Sequence, residues 1–400
     1  VSGFIFVLNC GSSSIKFGLF EQGEAGDVPR VPAWSGRIEG IGSDGAAFVD
    51  DAGRQALDAD AGGSYHAALA CIRERVRVRL GADVGRIVAV AHRVVHGGAK
   101  YSAPTRIDSE VLADLKSYIP LAPLHQPFAL EAIEVLLQSS PDLPQIACFD
   151  TAFHHTLPEV ETLLPLPLDA WQRGLRRYGF HGLSYHYLSI ALAERYGDRA
   201  RGRTICAHLG SGASLCAMQD LQSVATTMGF SALDGLMMGT RCGALDPGAL
   251  LYLMQIEKLG VDEVGDLLYH RSGLLGVSGI SSDPRVLLER EATDERARRA
   301  LALYVRRIVR EIGAQVAVLG GLDLLVFTAG IGEHNAAIRE RICSGLAYLG
   351  IALDADAQTA NAPVVSGRGS RVIVAVEPAN EEWIAAKCAT ERLRGPAATS

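Results

Sequence analysis

Lysine is scarce in this 400-residue chain: only Lys16, Lys100, Lys116, Lys258 and Lys387 among 38 basic residues, so positive charge rests mainly on arginine. A basic surplus is missing as well. The 38 basic residues stand against 45 acidic ones, a formal charge of −7, and no general attraction to nucleic acid or acidic membranes is expected. No stretch approaches the ~18 uninterrupted apolar residues of a membrane helix. The opening run Phe4 to Leu8 stops at Asn9-Cys10-Gly11, too short for a signal-peptide core, and the expected location is cytoplasmic. The eight cysteines contain no C-x-x-C pair and several lie in apolar runs, which reads as reduced, buried thiols. Catalytic signatures are lacking too. There is no GxxxxGK[ST] phosphate loop and no HExxH zinc motif. Gly182-Leu-Ser184-Tyr-His186 lacks the last glycine of a GxSxG elbow, and Gly330-Ile-Gly332 lacks the third glycine of a dinucleotide fingerprint.

What is present is a globular composition, 48% hydrophobic and 21% charged, long enough for about two to four domains. Glycine is abundant, 43 residues, which points to tight turns or close backbone approaches to a ligand. Short apolar runs ending in glycine or polar loops predict strands at Phe4–Leu8, Ile87–Ala91, Ile146–Phe149, Thr204–Ala207, Leu324–Thr328 and Val372–Val376. Residues 292–318 predict a helix, with Leu301, Tyr304, Ile308, Ile312 and Val316 at spacings of 3 and 4 and Asp294 as a cap. The alternation indicates an α/β class. The weakly patterned region 21–60 reads as a surface excursion of irregular strands.

The chain also resembles itself at half length. Phe6-Val-Leu-Asn9-Cys-Gly11-Ser-Ser-Ser14-Ile and Ile205-Cys-Ala-His208-Leu-Gly210-Ser-Gly-Ala-Ser214-Leu share an order: strand, polar residue, spacer, glycine, small polar residues, strand. His208 stands 199 positions after Asn9. Gly/Ser turns between strands are common, so the match also has a bland explanation. The functional one is a pair of glycine-rich hairpins presenting backbone N–H groups to phosphates, the product of an internal duplication.

Polar residues cluster where apolar strands end, which is where α/β sheets hold ligands. His92-Arg93-Val-Val95-His96-Gly-Gly98 closes one strand and Asp150-Thr-Ala-Phe-His154 another; Phe180-His181-Gly182 and Gly239-Thr-Arg241 lie on further loops. Singly, a loop arginine is usually a surface salt bridge, a strand-end aspartate a turn or cap, and a histidine beside glycine a turn residue. Together, two arginines, a histidine and an aspartate suit a trigonal phosphoryl group, with fixed donors around its equatorial oxygens. Pro378-Ala-Asn380-Glu381-Glu382 follows the last strand and opens a helix, with Asn380 as its N-cap. A magnesium role for Glu381 would use the same exposed position.

These motifs, spread from Asn9-Cys-Gly-Ser-Ser-Ser-Ile-Lys16 to Asn380-Glu-Glu382 and including Tyr178-Gly-Phe-His-Gly182, Met238-Gly-Thr-Arg241, Gly276-Val-Ser-Gly-Ile-Ser-Ser-Asp283 and Phe327-Thr-Ala-Gly-Ile-Gly-Glu333, resemble the acetate kinases. That group belongs to the actin, sugar-kinase and heat-shock-chaperone ATPase superfamily. The resemblance implies an α/β fold of two duplicated actin-like (ribonuclease H-like) domains around a nucleotide cleft. Residues 1–150, completed by a C-terminal helix at about 381–400, would form the first, and 151–380 the nucleotide-binding second. It implies reversible transfer of the ATP γ-phosphoryl group to acetate, giving acetyl phosphate and ADP, with Mg²⁺ (or Mn²⁺) and in a homodimer.

By the same resemblance Arg93 and Arg241 hold the acetate carboxylate and the transferring phosphoryl group, His181 stabilises the transition-state oxygens, and Asp150 orients the reacting groups. His125 lines the phosphoryl site. Asn9 and Glu381 position the metal. Val95, Leu124, Phe180 and Ala232 wall the methyl pocket. Nucleotide contacts fall on Ser14, Lys16, His208, Gly210, Ser211, Gly212, Asp283, Arg285, Gly330, Ile331, Gly332 and His334. Some positions depart from the family pattern. Many relatives carry Asn where this chain has Gln126, Ser211 and His334, and proline at the position of Ala232. Alanine removes volume from the pocket, so propionate is expected as a poorer or comparable substrate, since one methylene is worth only ~1–3 kcal/mol. A propionate or butyrate kinase of the same group stays open. An actin- or chaperone-like nucleotide-gated binding module would have no use for Arg93, His181 and Arg241 together.

Overall fold

The computed structural model describes residues 3–23, 27–123 and 125–394. They form two compact units, one taking the chain as far as Phe153 together with the segment from Asn380 onward, the other His154–Ala379.

The first unit is built on an eight-stranded sheet. Its strands are β1 (Phe4–Cys10), β2 (Ser14–Glu21), β3 (Trp34–Glu39), β4 (Ala47–Asp50), β5 (Gly53–Ala56), β6 (Ile87–Val94), β7 (Thr105–Arg106) and β8 (Gln145–Phe149), in the order β5-β4-β3-β2-β1-β6-β8-β7. From β1 to β5 the pairing is antiparallel, whereas β1, β6 and β8 run parallel. The near-continuous apolar β1 is buried on both faces, as a central parallel strand must be. Helices Tyr65–Leu80 and Gln126–Ser139 contribute Leu69, Ile72, Ala132 and Leu136 to a core with Phe6, Leu8 and Phe17. The C-terminal helix Glu381–Arg394 packs on β1, β6 and β8.

Region 21–60 differs from its sequence reading. It is a regular antiparallel extension of the sheet, β3 to β5, and not an irregular surface excursion. Alternation across only four to six residues, interrupted by glycine, left little period to read, yet Trp34, Ile38 and Phe48 are all buried. Trp34 meets Phe17 edge-on at 4.8 Å, and the guanidinium of Arg75 lies 4.1 Å from the Phe48 ring centroid.

The second unit has a five-stranded sheet of β9 (Thr204–Leu209), β10 (Ala213–Gln219), β11 (Gln222–Thr226), β12 (Leu324–Thr328) and β13 (Ile373–Val376), ordered β11-β10-β9-β12-β13. Here β9, β10 and β11 are antiparallel neighbours, and β12 and β13 continue parallel to β9. That repeats, strand for strand and direction for direction, the β3-β2-β1-β6-β8 portion of the first sheet. The half-length repeat in the sequence is therefore a repeat of topology. Each of the six apolar runs is a strand, and the predicted helix forms over Glu295–Leu319, with Asp294 accepting from the Arg296 N–H at its start. Tyr304, Ile308 and Ile312 on one face are buried, and Gly320, in the left-handed region at φ 70°, ends the helix.

Candidate active site

Strand period and register assemble the first cluster. In β1, Leu8 and Cys10 face the core on the side of helices Tyr65–Leu80 and Gln126–Ser139, so Asn9 faces the other way. In β6, Val94 is turned into a second core cluster and Arg93 away from it; in β8 the same holds for Phe149 and Cys148, whose thiol reaches the carbonyl of Ala385 in the C-terminal helix. Parallel register sets Leu8 beside His92 and Arg93 beside Cys148. Asn9, Arg93 and Asp150 are thus gathered at the C-terminal ends of adjacent parallel strands, where the first turn of the C-terminal helix brings Glu381.

The contacts are direct. Arg93 Nε donates to Asp150 Oδ1 and Oδ2 at 3.0 and 3.2 Å, and Nη2 donates to Oδ2 at 2.7 Å. Arg93 Nη1 lies 3.4 Å from both Asn9 Oδ1 and Glu381 Oε2. Burial disfavours the charged guanidinium, but the carboxylates of Asp150 and Glu381 outweigh it and hold the Arg93 pKa above its ordinary value. Asp150 is buried and Arg93 keeps part of its surface open. The result is a cation locked by one carboxylate with donor capacity left for an anion. Lys16 is exposed and stands opposite Asn9 across the hairpin, where Ser14 O accepts from the Gly11 N–H at 2.8 Å.

Val95 and His125 lie on segments tied together by Gln126, one of the positions that depart from the family pattern. The buried Gln126 amide accepts from the His96 N–H at 3.1 Å and donates to the His96 carbonyl at 3.0 Å. That fastens the start of helix Gln126–Ser139, which His125 precedes, to the loop carrying Val95. Leu124 lies outside the described residues.

The second cluster gathers at the β9–β10 hairpin. His208, next to last in β9, pairs in register with Ser214 of β10, as Asn9 pairs with Lys16. His181 occupies the left-handed region at φ 59° as the cap of helix Gly182–Tyr196, a conformation uncommon outside glycine. Its ring stacks on that of His208, centroids 4.1 Å apart and planes 13° from parallel. His181 Nδ1 is 2.8 Å from Ser214 Oγ, and His208 Nδ1 is 2.9 Å from Ser184 Oγ. Arg241 is anchored by an Nη1 hydrogen bond to the Ala232 carbonyl at 2.7 Å. Burial lowers the Arg241 pKa from its ordinary value. A Cβ at Gly212 would lie 2.7 Å from Arg241 Nη2 and 3.3 Å from His181 Nε2. Both nitrogens therefore converge on a turn that only glycine leaves open. Phe180 is buried, its carbonyl 3.0 Å from His154 Nε2.

A pocket of about 430 Å³ in the same unit is lined by Gly210, Ser211, Asp283, Arg285, Gly330, Ile331 and His334, together with Ser282, Pro284 and Asn335. Asp283 caps helix Pro284–Arg290, and the Arg285 guanidinium beside it holds its carboxyl below the usual range. Gly332 is not in that lining; it packs beneath, where a Cβ would come within 3.4 Å of the Phe327 backbone. The pocket also rests on a residue that periodicity does not single out. Arg339 is fully buried; its Nη1 donates to the carbonyls of Gly332 and Glu333 at 2.9 and 2.7 Å, and its Nε and Nη2 to the side chains of Gln358 and Asn361. It ties down the short helix Ala329–His334 that supplies Gly330, Ile331 and His334. It stands in the charged run Arg339-Glu340-Arg341, so the sequence alone does not separate it from its neighbours.

Comparison with known proteins places these residues in context. The model of the acetokinase family matches residues 4–387. An acetate kinase from Rhodopseudomonas palustris is 46% identical over 97% of this chain and 98% of its own length. Among solved structures, a propionate kinase from Francisella tularensis (34% identity, TM-score 0.88) and an acetate kinase from Porphyromonas gingivalis (37%, TM-score 0.84) are similar, each over 96% of this chain and 98% of theirs.

Proposed function

The chain belongs to the acetokinase family, and on that premise we propose how its residues divide the work of an acetate kinase. The enzyme is a phosphotransferase with a carboxyl acceptor. A carboxylate oxygen of acetate attacks the γ-phosphorus of ATP, the bond from that phosphorus to the β–γ bridging oxygen breaks, and the electron pair leaves with ADP. The reverse step makes ATP from acetyl phosphate.

Arg93 receives the carboxylate, and Asp150, which grips two of its nitrogens, keeps the fork from turning. Arg241 Nη2 and His181 Nε2 donate to the equatorial oxygens of the phosphoryl group as it passes between oxygens. To His125 we assign a contact with the phosphoryl group. The Gly210–Gly212 turn, Lys16 and Ser14 serve the phosphates, and the pocket beside Asp283, Arg285 and Gly330 takes the adenosine. Asn9 Oδ1 and Glu381 Oε2 are hard oxygen donors that each lie 3.4 Å from Arg93 Nη1, and they would hold Mg²⁺ or Mn²⁺ with water and phosphate oxygens completing the set. Such an ion would supply charge neutralisation on the phosphates. The observation that carries this reading is the convergence of Arg241 Nη2 and His181 Nε2 at the unsubstituted face of Gly212.

A homodimer is supported by helix Pro247–Gln255, which has no buried residue and exposes Leu251, Tyr252 and Met254. No helix among the described residues is long and apolar enough to cross a membrane. The direct test is trapping of acetyl phosphate as hydroxamate from ATP, Mg²⁺ and acetate. Wild type is expected to form it and Arg241→Ala to lose about 10²-fold or more in kcat. A folded wild type that forms none would overturn the assignment.

One residue favours a second reading. Ala232 stands where many relatives carry proline, and a propionate kinase is among the similar structures. Ala232→Pro should lower the propionate-to-acetate ratio of kcat/KM by about tenfold, the order one methylene commands. An unchanged ratio would remove Ala232 from the specificity argument.

A further inference from the structure

His181 is held by more than its backbone. Its Nδ1 sits 2.8 Å from Ser214 Oγ, and the same oxygen is 2.6 Å from the hydroxyl of Tyr185, one turn into the helix that His181 caps. The Tyr185 oxygen also takes a hydrogen bond from the backbone of His208. Ser214 and Tyr185 are both fully buried. A backbone amide can only donate, so the Tyr185 oxygen accepts there, and its second lone pair leaves the order of the two hydroxyls open. One order gives every hydroxyl proton an acceptor among these groups: Tyr185 O–H to Ser214 Oγ, and Ser214 O–H to His181 Nδ1. The Nδ1 lone pair is then occupied as an acceptor, and the imidazole proton belongs on Nε2, the atom that faces Gly212 beside Arg241 Nη2.

We propose that Tyr185 and Ser214 are positioning residues for phosphoryl transfer: a hydroxyl relay that fixes His181 in the Nε2–H tautomer, so that the neutral ring donates to the phosphoryl group. The proposal rests on the reading of His181 as a phosphoryl-site donor. Burial holds the Tyr185 phenol well above its ordinary range, so it remains a proton donor at any working pH. Titratable or charged groups against His181 include His208, stacked on its ring, Arg241 across Gly212, and Tyr185 itself; His154 meets the Tyr185 ring edge-on, and Cys206 and Cys216 act on Tyr185 from β9 and β10. A cationic ring beside Arg241 would meet like charge, so a donor that needs no charge suits this position. His208 repeats the arrangement, with Nδ1 on Ser184 and its Nε2 3.8 Å from where a Cβ would stand on Gly210.

The test combines nitrogen-15 histidine spectra with steady-state kinetics on wild type, Ser214→Ala and Tyr185→Phe, the His181 signals being assigned by their absence in His181→Gln. In wild type above neutral pH, His181 Nε2 should carry the proton and Nδ1 should read as an unprotonated acceptor. In Ser214→Ala the two nitrogen shifts should move toward one another as the tautomers mix. The same variant should lose about tenfold in kcat, less than the ~10²–10³ of deleting a donor outright, with KM for acetate and ATP unchanged within about twofold, as expected when only the transition state loses a contact. Tyr185→Phe should move in the same direction by less, and serves should Ser214→Ala not fold. A proton on Nδ1 in wild type, or an unmoved tautomer in both variants, would overturn the relay. Full activity in His181→Gln would instead remove His181 from the phosphoryl site and take the relay's purpose with it.

Discussion

At Gly212 the absence of a side chain has a measurable purpose. Arg241 cannot simply swing aside to admit a methyl group, because its other terminal nitrogen is bound to the Ala232 carbonyl. Gly212→Ala should fold normally, since the obstructing atom is the end of a flexible side chain, yet displace Arg241 Nη2 by part of an ångström. We expect a thermal midpoint close to wild type and kcat reduced by about tenfold, below the ~10²-fold that misplacement by a full ångström costs. Equal activity in a folded variant would show that the donors do not meet substrate at this turn. The motif Gly-Ser-Gly told of a turn; that Arg241 and His181 close on its middle required coordinates, because they come from loops far apart in the chain.

Among elements, helix Ala329–His334 shows how a pocket wall depends on something outside it. The helix has six residues, too few to stand by its own hydrogen bonds. Arg339 supplies the restraint by taking two carbonyls of its last turn. Arg339→Leu leaves those carbonyls and the amides of Gln358 and Asn361 without a buried partner, at a cost of about 3–5 kcal/mol. KM for ATP should rise about tenfold while KM for acetate stays put, readable by steady-state kinetics and nucleotide titration. A parallel rise in both would mean general loosening of the fold. The β3–β5 extension carries the opposite lesson. Its short strands with glycine at Gly36 and Gly53 offered little periodicity, and only pairing into the sheet beside β2 and burial of Trp34 and Phe48 made them regular.

For the molecule as a whole, acid should be more damaging than the negative net charge suggests. Burial pushes His92 and His154 down to about 4, and His96 likewise, against an ordinary value of 6.5. His92 Nδ1 is buried with no hydrogen-bond partner among the described residues. Between about 4 and 6.5 the unfolded chain binds protons that the folded chain excludes. Stability is therefore complete above 6.5 and falls as pH drops through that window, by about 1.4 kcal/mol per pH unit for each such group. Denaturant melts across pH 6.5 to 4.5 should show that slope, and His92→Gln should reduce it by about one proton. An unchanged slope would mean His92 titrates normally in the fold.

The sequence by itself determined the class, the duplicated halves, the strand cores and the polar residues at strand ends, because each is written locally: apolar runs, glycine turns and caps need only neighbours in the chain. It also carried enough joint motif content to reach the acetokinase family. Only the tertiary structure decided which of those residues meet. Parallel register aligned Asn9 with Arg93 and Asp150, the left-handed cap aimed His181 at Gly212, and the pocket drew in Arg339 and the Tyr185–Ser214 pair. Such meetings depend on the packing of elements distant in sequence, where hydrogen-bond partners leave no local period to read.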